Sequence, residues 1–69
     1  MKISARNIIP GKVLSIKKGP ISSLITLEIA PGVKLTASIT SESVKELKLA
    51  KGKSAAAIIK SSSVMLGVD

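Results

Sequence analysis

The alternation of apolar and polar residues over Val33–Thr40 constrains the fold of this chain more than any other feature of its sequence. Positions 33, 35, 37 and 39 are apolar, and positions 34, 36, 38 and 40 are polar. In an extended strand these two sets lie on opposite faces, so the segment predicts a strand with one buried face. Residues 24–30 repeat the pattern, and Ala30-Pro31-Gly32 supplies the proline and glycine of a tight turn. The sequence therefore predicts a β-hairpin.

Three further strands are predicted by the same criteria, at about residues 12–18, 54–60 and 64–68. One segment departs from the alternation, because Val44 and Leu47 lie three residues apart behind the hydroxyl-rich residues 40–43. Ser43 and Glu46 have the spacing of a capping box, which predicts a short helix that ends near Gly52. Three strands, a helix and two strands predict an all-β fold, a five-stranded OB-like Greek-key barrel with one short helix.

The length of 69 residues allows a single domain, 1–69, whose core is too small to be very stable by itself. Without cysteine the chain cannot form a disulfide, and without His or Cys it lacks the usual zinc ligands. It is nevertheless 45% hydrophobic with no aromatic residue. Because apolar surface that one subunit cannot bury usually marks an interface, we expect a homo-oligomer.

The residues also exclude several classes of function. The only carboxylates are Glu28, Glu42, Glu46 and Asp69. With no His or Cys either, the usual general bases and activated nucleophiles are missing, and so few carboxylates do not favour a calcium or magnesium site. We predict no enzyme activity, no catalytic residue, no bare metal cation and no cofactor.

The net charge of +7 favours an anionic partner, which is nucleic acid, an acidic membrane surface or a small oxyanion. An OB-type nucleic-acid-binding module stays open as the alternative, although no aromatic residue is available to stack on bases. Scattered lysines that only keep an apolar oligomer soluble are an equally good explanation for most of the charge. No apolar run reaches the roughly 18–20 residues of a membrane span, and residues 1–6 lack the apolar stretch of a signal peptide, so we expect a cytoplasmic protein.

Three stretches concentrate groups that hold anions. Ser4-Ala5-Arg6-Asn7 contains the only arginine, whose planar fork of donors matches a tetrahedral oxyanion. Residues 40–43 offer hydroxyls at a predicted helix start, and Lys60-Ser61-Ser62-Ser63 follows a predicted strand. Each stretch also has a plain structural explanation: an exposed terminal charge, helix capping by Ser43 or Thr40, and a serine-rich turn.

Together these stretches resemble the molbindins, the family of molybdenum-pterin-binding proteins whose Mop-type domain also occurs in molybdate-responsive transcription regulators. The resemblance covers nearly the whole chain, and its most specific part is the Ser-Ala-Arg-Asn opening with a Lys-Ser strand end about 55 residues later. The other matching pieces are Gly11-Lys12-Val13, Lys17-Lys18-Gly19, Ile39-Thr40-Ser41-Glu42-Ser43, Leu47-Lys48-Leu49, Gly52-Lys53 and Val64-Met65. Ile8-Ile9-Pro10 departs from the more usual polar residue, leucine and polar residue, which stiffens the chain after the first motif.

The resemblance implies barrels that pair by exchanging a strand, with three such dimers forming a hexamer. It implies storage and homeostasis of molybdate or tungstate bound at subunit interfaces. Residue by residue, it implies a site made of Ser4, the Ala5 backbone N–H, Arg6 and Lys60, joined by Ser43 of the partner subunit and by Ser61. The turn at residues 19–22 is a candidate for the family's second class of anion site. A purely structural interaction domain, in which these motifs are strand ends and caps, is the third possibility.

Overall fold

The computed structural model describes residues 2–69, which form a curled antiparallel sheet and one short helix. The elements, in chain order, are β1 (Asn7–Lys17), β2 (Ser22–Ala30), β3 (Val33–Thr40), α1 (Ser41–Glu46), β4 (Ser54–Ile59) and a single 3-10 turn (Ser61–Ser63). The strands lie in the order β3-β2-β1-β4. The predicted all-β class and the short helix are therefore confirmed.

The long strand β1 curls the sheet because its two halves pair with different strands. Its first half pairs with β4, from Asn7 opposite Ile59 to Lys12 opposite Ser54. Its second half pairs with β2, and the register shifts between Val13 and Ser15, where Leu14 is the extra residue. A bulge of this kind bends a strand and increases its twist. The shared strand thus joins the two curved halves of the sheet.

The predicted hairpin is present, and β3 has the predicted bounds. Gly32 adopts a φ of +76° in the turn, a conformation that a side chain would strain. The alternating residues of β2 face inward as expected, since Ile25 and Leu27 are buried together with Val13, Val44 and Ala57. These five residues make a small core. Burial of each of the larger side chains contributes about 1.5–3 kcal/mol to stability.

The inner face of β3 is only partly covered. Leu35, Ala37 and Ile39 are half-buried, and Val33 is exposed. The sheet has two edges within residues 2–69, because β3 and β4 are not neighbours in the strand order. A mainly apolar cavity of about 460 Å³ opens there, lined by residues 25, 27, 35–37, 39, 47, 49 and 55–59. One subunit therefore leaves its interior open on the side between β3 and β4.

The prediction of a fifth strand at residues 64–68 is wrong for the single chain. Residues 64–69 form no strand in the described part of the protein, and Met65, Leu66 and Val68 are 92%, 96% and 99% exposed. A strand needs a neighbouring edge to accept its hydrogen bonds, and this tail does not lie on its own chain's open edges. Residues 2–69 therefore form four strands and no closed barrel.

Two boundaries also differ from the predictions. β1 begins at Asn7 instead of residue 12, since Pro10 fits into the β1–β4 ladder opposite Ala56. The helix cap is Thr40 and not Ser43, so α1 starts one turn earlier than the proposed capping box and ends at Glu46. The chain then leaves the helix through Lys48, with a φ of +54°, and Gly52, with a φ of +87°.

Candidate anion-binding site

Arg6 and Lys60 flank the last residue pair of the β1–β4 ladder. Asn7 lies opposite Ile59, so Arg6 and Lys60 occupy the next position on each of the two strands. The Asn7 amide nitrogen Nδ2 donates a hydrogen bond of 3.1 Å to the carbonyl oxygen of Ile59. Both cationic side chains are exposed. We call residues 4–7 and 59–61 the Arg6–Lys60 corner.

The neighbouring predicted residues lie in the same two segments. Ser4 is exposed and Ala5 is half-buried, and both precede β1. Ser61 is exposed and opens the 3-10 turn, in which the Ser63 amide donates to the Lys60 carbonyl oxygen at 2.8 Å. The backbone therefore gathers Ser4, Ala5, Arg6, Lys60 and Ser61 at one corner of the sheet, although they come from the two ends of the sequence.

Ser43, the remaining predicted residue, lies in the first turn of α1. Its backbone amide donates to Thr40 Oγ1 at 3.1 Å, which caps the helix, and the Thr40 hydroxyl donates to Ser43 Oγ at 2.7 Å. The Thr40 hydroxyl has one proton, which it donates to Ser43 Oγ, so it cannot donate to another group. Ser43 keeps its own hydroxyl proton for another acceptor, while its backbone amide is already engaged.

Ser41 ties this helix start to the turn between β1 and β2. Its hydroxyl donates to the Gly19 carbonyl oxygen at 2.6 Å, and its amide donates to the Ile21 carbonyl oxygen at 2.8 Å. Ser23, which is 2% exposed, lies 2.7 Å from Ser41 Oγ. Because the Ser41 proton goes to Gly19, Ser23 is the donor in that pair. We call residues 40–43 with Gly19 and Ser23 the α1 anchor.

The corner and the α1 anchor lie at opposite ends of β1. Thr40 is opposite Ser22 at the start of β2, and the nearby Leu24 is opposite Lys17, the last residue of β1. Arg6 precedes the first residue of the same strand. Within one chain, therefore, the sheet joins five of the six predicted residues and keeps Ser43 apart from them.

The turn at residues 19–22 borders a cavity of about 280 Å³ lined by Lys18, Gly19, Pro20, Ser23, Ser41, Val44 and Lys45. Two lysines at its rim suit an anion, and a role for this turn in a second site stays a prediction. Gly19 has no space for a side chain, since a Cβ there would lie 2.4 Å from the Ser22 carbonyl oxygen. Among residues 2–69 no three His, Cys, Asp or Glu side chains come together as metal ligands.

Comparison with known proteins decides the family. The TOBE domain model matches residues 3–66. A probable molybdenum-pterin-binding protein of Haemophilus influenzae is 48% identical over 69 residues, which is the full length of both chains. The chain belongs to the molbindins.

Solved structures of other molbindin-type proteins have the same fold. The molybdate-binding protein of Sporomusa ovata matches with a TM-score of 0.91 and 34% identity, over 99% of this chain and all of that one. The cytoplasmic molybdate-binding protein ModG, in a form with molybdate bound, matches with a TM-score of 0.93 and 43% identity. That match covers all of this chain but 49% of ModG. No helix in the described part of this molbindin is long and apolar enough to cross a membrane.

Two features of the molbindin site were not foreseen from the sequence. Asn7 belonged to the recognised motif but had no predicted role, and its contact with Ile59 depends on a register that joins residues 52 positions apart. The Ser23–Ser41–Gly19 connection likewise joins distant residues. The Thr40 cap, in contrast, is indicated by the sequence. An N-cap hydroxyl accepts from the backbone amide three residues later, and Ser43 lies at that position.

Proposed function

We propose that this protein binds molybdate or tungstate between the subunits of a homo-oligomer, and that it stores and buffers the anion in the cytoplasm. The binding unit is one Mop-type domain, residues 1–69, which works without a catalytic residue or a cofactor. The observation that carries the proposal is that the β1–β4 register brings Arg6 and Lys60 to the same corner of the sheet. Two cationic groups there match the two negative charges of molybdate.

The chemistry of the corner suits an anion that offers only acceptors. Arg6, Lys60, Ser4, Ser61 and the Ala5 amide are all donors, and the sequence has no Asp or Glu in residues 1–27 or 47–68. A charge-assisted hydrogen bond contributes on the order of 1.5–3 kcal/mol. Four or five such bonds account for about 8 kcal/mol, which corresponds to micromolar affinity, after the costs of ordering are subtracted. A protonated anion would favour a carboxylate acceptor, which these two segments of the sequence do not contain.

Ser43 supports a site that two subunits share. It carries a hydroxyl proton that the Thr40 contact leaves unused, and it lies at the far end of β1 from its own Arg6–Lys60 corner. We infer that Ser43 of the partner subunit completes the corner. In this arrangement each subunit supplies the cations of one site and the hydroxyl of another.

The tail provides a means of pairing the subunits by strand exchange. Met65, Leu66 and Val68 are almost fully exposed, and each large apolar side chain left in water forgoes about 1.5–3 kcal/mol. The open apolar cavity between β3 and β4 is where a fifth strand from another copy would complete a barrel. We propose that two subunits exchange this tail and that three such dimers form a hexamer.

Titration calorimetry tests the ligand. We expect micromolar binding of molybdate and tungstate, clearly weaker binding of sulfate, and only weak, salt-dependent binding of a DNA oligonucleotide. Equal affinity for all three oxyanions would show that general positive potential holds them. Submicromolar binding of one DNA sequence at physiological salt would favour the nucleic-acid-binding module instead.

A subunit-mixing experiment tests the shared site. Arg6→Ala and Ser43→Ala proteins are each expected to bind molybdate weakly. After they are unfolded together and refolded, each mixed pair contains one doubly altered site and one site with both native residues. Native affinity should therefore return in half of the sites of every mixed pair. If mixing restores nothing, Arg6 and Ser43 do not act across the interface.

Light scattering tests the assembly independently of ligand. A stable oligomer, six copies in the proposed form, is expected at low micromolar concentration. A folded species close to the chain mass of 7.1 kDa would contradict the interface site as well as the hexamer.

A further inference from the structure

Asn7 is the one residue at the Arg6–Lys60 corner whose side chain links the two strands. Its Nδ2 donates to the Ile59 carbonyl oxygen at 3.1 Å, across 52 positions of sequence. Asn7 directly follows Arg6, and Ile59 directly precedes Lys60. We infer that Asn7 is a positioning residue, which holds the Arg6 strand and the Lys60 strand at the separation that oxyanion binding needs. The inference rests on the proposed function.

The end of the ladder explains why such a link matters. Asn7 and Ile59 form the last pair, and Arg6 and Lys60 both lie outside the strands. Strand ends separate easily because no further pair holds them, and local opening of this kind needs little free energy. The Asn7 side chain adds a contact at the point where the backbone ladder stops.

The chemistry of the asparagine fits this role. Its amide supplies a donor on a short side chain without adding a negative charge beside the bound anion. Asn7 is half-buried, whereas Arg6 is exposed. Aspartate at this position would lose the donor and repel both the Ile59 carbonyl oxygen and the oxyanion. Asn7 is thus expected to act on molybdate only through Arg6 and Lys60.

The test is a double-mutant cycle measured by molybdate calorimetry on the intact oligomer. Asn7→Leu keeps the branched shape of the side chain and removes the donor. We expect it to weaken molybdate binding about three- to tenfold, the effect of one neutral hydrogen bond. In the Arg6→Lys background the same change should weaken binding less than about twofold, since the bidentate geometry that Asn7 positions is already lost.

Two further variants separate positioning from general destabilisation. Ile9→Val alters a half-buried residue on the same strand, removes no hydrogen bond, and should lower the urea midpoint while leaving molybdate affinity unchanged. Asn7→Gln retains the donor on a longer side chain and should restore part of the affinity lost in Asn7→Leu. It also keeps the test available if Asn7→Leu fails to assemble.

The outcomes distinguish this inference from the proposed function. Equal losses from Asn7→Leu in the native and Arg6→Lys backgrounds would overturn the positioning role, because the effect would not pass through Arg6. No loss from Asn7→Leu, with a clear loss from Arg6→Lys, would overturn it while leaving the proposed site intact. No loss from Arg6→Lys would overturn the proposed site and the positioning role together.

Discussion

The two ends of β1 hold their polar side chains in different ways. At the α1 anchor, Ser23 and Ser41 are hydrogen-bonded to each other, and so are Thr40 and Ser43. At the Arg6–Lys60 corner, the described part of the chain has one side-chain hydrogen bond, from Asn7, and it involves neither cation. The anchor is thus held by hydrogen bonds among its hydroxyls, while the corner is held by the strand pairing and the Asn7 side chain and leaves both cationic side chains exposed. An oxyanion site shared between two subunits would combine the α1 anchor of one subunit with the Arg6–Lys60 corner of the other.

The sharpest way to break this contrast is to replace a cationic side chain at the corner. Arg6→Lys keeps the charge and loses the bidentate fork, and we expect molybdate binding to weaken by about one to two decades, the equivalent of roughly 1.5–3 kcal/mol. Lys60→Ala should cost at least as much. Calorimetry on both variants, with the oligomer confirmed intact, measures the effect.

Lys51→Ala is the matched control for these two variants. Lys51 is exposed in the turn before β4, outside the corner and the α1 anchor. Its removal lowers the net charge by the same amount as Lys60→Ala and should change affinity less than about twofold. Equal losses at positions 51 and 60 would mean that overall charge, and not the corner, attracts the anion.

Ser43→Ala should produce a smaller loss, because it removes one hydroxyl donor and no charge. We expect molybdate affinity to fall about tenfold, as for one charge-assisted hydrogen bond. The free energy of unfolding should change little, since Thr40 Oγ1 still accepts from the backbone amide at position 43. A large loss of stability with unchanged affinity would make Ser43 a structural residue only.

Thr40→Ala should show the opposite pattern. It removes the helix cap, and we expect the free energy of unfolding to fall by about 1 kcal/mol in a urea titration. Molybdate affinity should fall only slightly, because Ser43 keeps its hydroxyl. Thr40→Ser retains the capping oxygen and should stay near native stability; if it unfolds as easily as Thr40→Ala, the hydroxyl is not what stabilises α1.

Nucleic acid should give the smallest effect of all. The chain has no aromatic residue on which a base could stack, so we expect its lysines to bind nucleic acid mainly through the phosphates. We expect weak binding of oligonucleotides without sequence preference, falling steeply between low and physiological salt. Fluorescence anisotropy with several labelled sequences measures this, and clear discrimination among them would contradict the expectation.

Local patterns predicted those parts of the fold that depend on neighbouring residues. The hairpin and the bounds of β3 follow from alternation and from Pro31-Gly32, and the inward positions of Ile25 and Leu27 follow with them. The start of β1 could not be predicted from alternation, because Ile8 and Ile9 are consecutive apolar residues and because a proline is uncommon inside a strand. In the sheet Ile9 is half-buried and Ile8 is 47% exposed, so the alternation is there in three dimensions.

The parts of the candidate site that belong to a sequence motif could be predicted. The contacts between residues far apart in the sequence could not. The Ser-Ala-Arg-Asn opening and the Lys-Ser strand end identified the residues of the corner, and the register then placed Arg6 next to Lys60. The link from Asn7 to Ile59 and the Ser41 contacts depend on strand pairing that the sequence does not state. The strand predicted at residues 64–68 is absent for a related reason. A strand forms only beside another strand, and the sequence of this segment does not show whether a strand edge is available to it.

Gly19 limits the substitutions that the turn between β1 and β2 can tolerate. Its carbonyl oxygen receives the Ser41 hydroxyl, and a Cβ at this position would lie 2.4 Å from the Ser22 carbonyl oxygen. Any other residue at position 19 must displace the backbone of this turn. That displacement would move the Gly19 carbonyl oxygen, which accepts the hydrogen bond from Ser41 at the start of α1. Surface loops usually tolerate changes of residue type, but position 19 of this turn is restricted to glycine.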